Sequence, residues 1–423
     1  MFTPHLLPNG LRVLLVPTQG TEAVTVLVLT KVGSRYETDE IAGASHFIEH
    51  LMFKGTTNRP SAQQISRELD SVGAEYNAYT GKDHTGYYIK IGKNHAKMAV
   101  EMVYDMLANS LFDAEEMDKE RKVIIEEINM YEDNPIMHVE NLLEAEMFVG
   151  NTLGRDIAGS RETMMSMARD NVVAFRKAHY IPSRMLLVLS GNVSGDLLPL
   201  VEQTFGQLPA EKAQPSAFSP FAFPATRPRS AATQFKDTQQ VQLMLAFPGL
   251  AMDHADTPAL QLLGTIMGGN MSSRLFSSVR EKRGLAYMVR ARHESYEDAG
   301  LFTIHSGLDR SRLAEAVGTI MGEVQRCTSE LIEPKELKAA RDYIYGKNLL
   351  SLEDSADRGE WIGRQALFLD KIRGLEEWIA RFDQVTPAQI QALASTFLRR
   401  DRMAAAAIGP FKTNDDFLAA ANL

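Results

Sequence analysis

The chain has 423 residues, of which 44% are hydrophobic, and a formal charge of −9 at pH 7. That length and apolar content are those of a soluble globular protein with room for two or more domains and a substantial core. The single cysteine, Cys327, excludes an intramolecular disulfide framework, and its polar setting (QRCTSE) points to an incidental or buried thiol, not a nucleophile. An isoelectric point near 5.7 argues against nucleic acid or an anionic membrane as the main partner. The opening MFTPHLLPNGLRVLLVP lacks the basic start and apolar core of a secretory signal, and apolar runs such as VTVLVL are far shorter than a membrane span. A cytoplasmic location is expected.

In chain order, Pro8-Asn9-Gly10 supplies the turn of a hairpin, and Leu11 to Val16 and Val24 to Leu29 read as strands. Ala44 to Phe53 is apolar on nearly every face except where His46, Glu49 and His50 sit, so the pattern predicts a buried helix carrying buried polar groups. At 100° per residue, His50 lies about 40° round the helix axis from His46 and Glu49 about 60° the other way, so all three can point at one atom. Zinc suits such a set, because it takes nitrogen and oxygen ligands and in catalytic sites keeps one position for water. The order His-x-x-Glu-His is the inverse of the commoner zinc motif and is a known metallopeptidase pattern. Ser61 to Gln64 form a capping box opening a helix that ends at Gly73, and AEYNAYTGKDHTGYYIKIG reads as two strands joined near Gly81-Lys82.

Asp113 and Glu116 mark the start of a helix that runs to about Asp133, before Asn134-Pro135. Val123, Ile124, Ile128 and Tyr131 define its apolar face, and Glu127 falls within it, whereas Glu126 shares a face with Lys119, Lys122 and Asn129. Glu120 lies within about 20° of Glu127 on the same stripe. A carboxylate on an apolar stripe needs a partner, either an arginine or a metal.

After the short buried strand in MLLVLSGNV, prolines crowd a segment near 210–230 that reads as a linker. The remainder repeats what precedes it. QLMLAF stands where VTVLVL stood, Thr257-Pro258 caps a helix ALQLLGTIMGG that offers no histidine where the histidine helix stood, and GLAYMVRARHESYEDAGLFTIHSG echoes GAEYNAYTGKDHTGYYIKIG. The expected division is a metal-bearing domain over 1–215, a proline-rich linker over 216–232 and a metal-free repeat over 233–423.

Over nearly its whole length the chain resembles the M16 peptidases, the family of pitrilysin, insulin-degrading enzyme and the mitochondrial processing peptidase, and in length the processing-peptidase type. HFIEHLMFKGT is similar to the family's zinc helix and ERKVIIEE to its downstream segment. The resemblance implies that His46, His50 and Glu127 bind one Zn2+ per chain, that Glu49 is the general base and that Glu120 supports the ligands from behind. SSRLFSSVREKRGLAYMV is similar to the family's arginine/tyrosine segment, which implies catalytic roles for Arg280 and Tyr287. Asn77, Ala78, Tyr79 and Thr80 resemble its substrate-binding edge strand. The implied fold is α+β, two tandem similar domains, each a mostly antiparallel sheet packed with helices, together one half of a clamshell.

The expected function is hydrolysis of extended or unfolded peptides by a metalloendopeptidase, with a homodimer whose composite sites take the zinc set from one chain and the arginine/tyrosine set from the other. The rival readings are a non-catalytic peptide-binding or scaffold subunit of the same fold, which metal content would reveal, and a peptidase that needs a different partner chain. His5, His95, His138, His179, His254, His293 and His305 lack ligand-like spacing and read as ordinary residues, while His84, beside the site on the strand pair, stays open.

Overall fold

The structure is a computed structural model that describes residues 2–210, 218–369 and 371–423. Residues 211–217, where the expected first domain runs into the proline-rich linker, lie outside the described residues. The chain forms two compact units, each drawn from three stretches: Met1–Asn129 with Arg155–Phe218 and Leu349–Gly374, and Met130–Gly154 with Ser219–Asn348 and Leu375–Leu423. No helix among the described residues is long and apolar enough to cross a membrane.

The first unit is built on six strands: β1 (Thr3–Leu6), β2 (Arg12–Pro17), β3 (Ala23–Thr30), β4 (Glu75–Thr80), β5 (Thr85–Gly92) and β6 (Met185–Gly191), in the order β1-β2-β6-β3-β5-β4. All neighbours are antiparallel except β2 and β6. The hairpin turn at Asn9-Gly10 joins β1 to β2, and Gly10 takes a φ of 89° that a side chain would resist. The unbroken apolar run of β3 follows from its place in mid-sheet with both faces covered. Val13, Leu15, Val24, Val26 and Val28 face a core shared with helices α1 (Ala44–Leu51) and α3 (Ala96–Asn109), which lie either side of α2 (Ala62–Asp70) in sequence. Leu14, Val16, Leu27, Leu29, Leu186 and Val188 face the other way, onto Ile362, Ala366 and Leu367 of the helix Ser355–Phe368. That helix lies close to the strands because Gly363 faces them; a Cβ there would stand 2.7 Å from Leu29 Cδ1.

The second unit repeats the plan with β7 (Ala231–Phe235), β8 (Gln240–Gly249), β9 (Ala286–Ser295), β10 (Gly300–Asp309) and β11 (Ala404–Gly409), in the order β7-β11-β8-β10-β9. Only β7 and β11 are parallel. Leu243, Leu245 and Phe247 face the helices Thr257–Gly264 and Leu313–Ser329. On the other face Met244, Ala246 and Ala406 meet Val139, Leu143 and Met147 of α5 (Pro135–Met147), which follows α4 (Ala114–Asp133). Each sheet is thus covered on one side by a helix from the opposite part of the sequence. Two similar, mostly antiparallel sheets packed with helices are the expected α+β architecture. Thr257, expected as a cap, is instead the first residue of its helix, with Asp256 at the cap position and the Thr257 hydroxyl donating to Ala251 O (2.9 Å).

Candidate metal centre

Helix α1 has eight residues, too few to be stable alone, and is held by burial of Phe47, Ile48 and Leu51. It is entered through Gly43 at a φ of 95°, and no residue at its start caps it with a side chain. The cap comes from Glu37, whose two carboxylate oxygens accept from Gly43 N and Ser45 N, each at 2.6 Å. Complete burial pushes the Glu37 carboxyl up to about 7, against the pull of those two backbone donors.

On the open side of α1 the side chains of His46 and His50, one turn apart, bring their Nε2 atoms to 3.2 Å. Glu127 Oε2 lies 3.6 Å from each. A tetrahedral zinc with bonds of about 2.0–2.1 Å sets its donors about 3.3–3.4 Å apart, so the three atoms fit that ion in chemistry and spacing. Among the described residues these three alone form such a cluster.

Helix α4 delivers Glu127. Asp113 Oδ1 caps it by accepting from Glu115 N (2.9 Å) and Glu116 N (3.1 Å), and Ile124 and Ile128 bury its inner face. Glu126 is exposed. Val123, expected on the apolar face, is 49% exposed, because the stripe it shares with Glu120 and Glu127 borders the metal site and not the core. Glu120 is buried; its Oε2 meets His50 Nδ1 at 3.0 Å and its Oε1 pairs with Lys54 Nζ at 2.6 Å.

The charges follow from these contacts. Burial, followed by the neighbouring His50, pushes His46 down to about 4, which keeps its ring neutral. Burial also opposes charge on His50, but the carboxylates of Glu120 and Glu127 outweigh it and push that ring up to about 9. Hydrogen bonding to His50 holds the Glu127 carboxyl below its usual range. Two rings with facing nitrogens share at most one proton, and a cation held between them would take its place.

Glu49 lies beside the donors without being one of them. Its Oε2 accepts from Thr80 Oγ1 at 2.5 Å, and burial raises its pKa. Thr80 ends β4, the outermost strand of its sheet, which pairs in register with β5 from Glu75↔Lys90 to Thr80↔Thr85. Asn77 Oδ1 accepts from Ala78 N (2.9 Å), and Tyr79 lies over Gly86, where a Cβ would stand 2.4 Å from the ring. His84 is not among the donors: it is buried edge-on between Tyr79 (5.8 Å) and Phe368 (5.4 Å), and burial pushes it down to about 3.

Arg280 and Tyr287 belong to the second unit. The Arg280 guanidinium sits 4.7 Å over the Phe276 ring, and among the described residues no carboxylate pairs with it. Tyr287, on β9, lies across Gly307, and its hydroxyl accepts from Gln242 Nε2 at 3.3 Å. Both line an open cleft of about 570 Å³ with Gly269, Asn270 and Met288. Cys327 is buried, and burial pushes its thiol up to about 11, out of range for a nucleophile. Sequence reasoning missed Lys54 and Glu37. Lys54 lies in the turn just past the end of α1, and the contacts of Glu37 are to backbone, so neither leaves a helical spacing in the sequence.

Residues 12–161 match the family profile Insulinase (Peptidase family M16), and residues 166–344 match Peptidase M16 inactive domain. An uncharacterized zinc protease of Bacillus subtilis is 35% identical, over 95% of this chain and 97% of the relative. The chain belongs to peptidase family M16. A second uncharacterized zinc protease, from Streptomyces coelicolor, is 35% identical over 96% of this chain and 89% of its own. Among solved structures, a protease from Helicobacter pylori superposes with a TM-score of 0.91 at 22% identity, covering 97% of this chain and 99% of that one. A peptidase M16 inactive domain from Pseudomonas fluorescens gives 0.87 at 20% identity, covering 98% and 99%. Those two likenesses establish the fold. This M16 member thus stands among zinc proteases, and zinc is the ion its donor set suits.

Proposed function

We propose that this chain is a zinc endopeptidase that hydrolyses extended peptides, with one zinc held by His46, His50 and Glu127. The observation that carries this reading is the convergence of the three donor atoms at 3.2 and 3.6 Å beside a carboxylate, Glu49, that is not a ligand. Zinc bound there supplies a Lewis acid for the scissile carbonyl and lowers the pKa of a water to about 7. Glu49 takes the proton from the attacking water and passes it to the leaving amine. Glu120 fixes the ring of His50 through Nδ1, so that Nε2 faces His46 and would be free to hold the metal.

The peptide adds as a strand along the outer edge of β4, where Asn77 to Thr80 offer backbone groups. Recognition by backbone favours extended over folded substrates and carries little sequence preference. Arg280 and Tyr287 steady the carbonyl oxygen as it gains charge; the supporting observations are a guanidinium without a carboxylate partner among the described residues and a phenol at one open cleft. A two-fold homodimer supplies the zinc set from one chain and the arginine/tyrosine set from the other, a reading that rests on the presence of both sets in one chain.

The test combines metal analysis with cleavage of an unstructured peptide. Wild-type protein should carry about one zinc per chain, lose activity to a chelator and regain it with zinc. Glu49→Gln should keep the zinc and lose cleavage. A zinc-loaded wild type that binds peptides without cutting them would overturn the self-sufficient peptidase in favour of the non-catalytic subunit or the partner-dependent peptidase.

A further inference from the structure

We infer that Thr80 is a positioning residue for the reaction: its hydroxyl fixes the carboxylate of Glu49 and ties the base to the strand that receives the substrate. The inference rests on the reading of Glu49 as the base and of β4 as the docking strand. Thr80 Oγ1 donates to Glu49 Oε2 at 2.5 Å, and among the described residues Glu49 has no other side-chain hydrogen bond. A glutamate has three side-chain torsions, and one oxygen held by a fixed donor leaves the other, Oε1, aimed for the proton it must collect.

The donor itself is well anchored. Side chains alternate along β4, and Ala78 and Thr80 point to the side of the sheet where α1 packs, while Tyr79 points to the side of the helix Ser355–Phe368. Behind Thr80, Gly81 N donates to His84 O (2.8 Å) and Gly81 O accepts from Ser34 N (3.1 Å). Gly33 fits against that turn so closely that a Cβ would stand 2.2 Å from Gly81 O. The β-branch of threonine further restricts the hydroxyl to few rotamers.

The deciding comparison is among Thr80→Val, which keeps the shape and removes the donor, Thr80→Ser, which keeps the donor, and Glu49→Gln, all assayed as zinc-loaded full chains on the unstructured peptide. The Val variant should lose about 10–100-fold in kcat with KM changed less than about threefold, and the Ser variant should stay within about fivefold of wild type. Zinc affinity, read by chelator competition, should be the same in all three Thr80 forms. Crystal structures should show Glu49 in one rotamer in the wild type and the Ser variant and displaced in the Val variant. A kcat within twofold of wild type for the Val variant, a change confined to KM, or a Ser variant as slow as the Val variant would overturn the inference. If the Val variant fails to fold, Thr80→Ala against Thr80→Ser decides it by the same criteria. An active Glu49→Gln would refute the general-base reading itself, whereas an inactive Glu49→Gln beside a fully active Val variant would remove only the role of Thr80.

Discussion

Glu120 meets Nδ1 of His50 at 3.0 Å, and this contact decides which nitrogen of the ring is left to face His46. With Nδ1 held by Glu120, it is Nε2 that would give up its proton to a metal and offer its lone pair beside those of His46 and Glu127. Lys54, at 2.6 Å from the other oxygen of Glu120, keeps that carboxylate in place.

Glu120→Gln should therefore weaken zinc binding by about 10–100-fold in chelator competition, the usual effect of losing a carboxylate behind a ligating histidine. Lys54→Met acts one contact further away, on a half-buried side chain, and should weaken binding by less. Wild-type affinity in Glu120→Gln would mean that the ring of His50 is oriented by its packing alone.

The neighbouring glutamates of α4 should separate cleanly. Glu127→Gln removes a donor charge 3.6 Å from both imidazoles and should lose most zinc affinity, while Glu126→Gln changes an exposed side chain and should match the wild type. Equal losses would contradict the geometry of α4.

Glu37 gives the fold a pH dependence of its own. Burial pushes its carboxyl up to about 7 from an ordinary value of 4.5, so between those pH values the folded protein holds a proton that the unfolded chain releases. Stability from this group is fully present below about pH 4.5 and is lost as pH rises through 7, by roughly 3 kcal/mol in total. Glu37→Gln should be less stable, because one of the two backbone donors at the start of α1 loses its acceptor, and should lack this slope. Denaturant melts of both proteins from pH 4.5 to 8 measure it; parallel curves would show that Glu37 does not titrate in this window.

Composite sites predict complementation. Glu49→Gln mixed with the double variant Arg280→Ala/Tyr287→Phe under subunit exchange gives heterodimers with one wild-type site each, and recovered activity of about a quarter of the wild-type value. No recovery, with exchange verified by pull-down of a tagged chain, would exclude the composite homodimer.

Much of the first unit was legible because its physics is local. A four-residue helical spacing puts His46 and His50 on one stripe, and the long apolar run of β3 announces a strand covered on both faces. The repeat of VTVLVL by QLMLAF reflects equivalent central strands, β3 and β8, of two similar sheets. The helices α5 and Ser355–Phe368 were another matter: an apolar stripe says that a helix is covered, not by which sheet. Val123 misled for a related reason, since the sequence does not distinguish a stripe that faces the core from one that faces a site. Thr80 stood among the substrate-strand residues, but the approach of its hydroxyl to Glu49 depends on how β4 is set against α1, which no spacing encodes.

The late covering of the first sheet governs when the protein can finish folding. Leu14, Val16, Leu27, Leu29, Leu186 and Val188 are sealed by a helix that leaves the ribosome only after β7 to β10 have been made. At about 5–20 residues per second that interval is roughly ten to thirty seconds, during which one face of a six-stranded sheet stands uncovered or in the care of a chaperone. A chain stopped at residue 210 would keep His46, His50 and Glu127 and still have a bare apolar face on the side of the sheet away from α1. Birth order thus leaves one face of the first sheet without its native cover until most of the chain has been made.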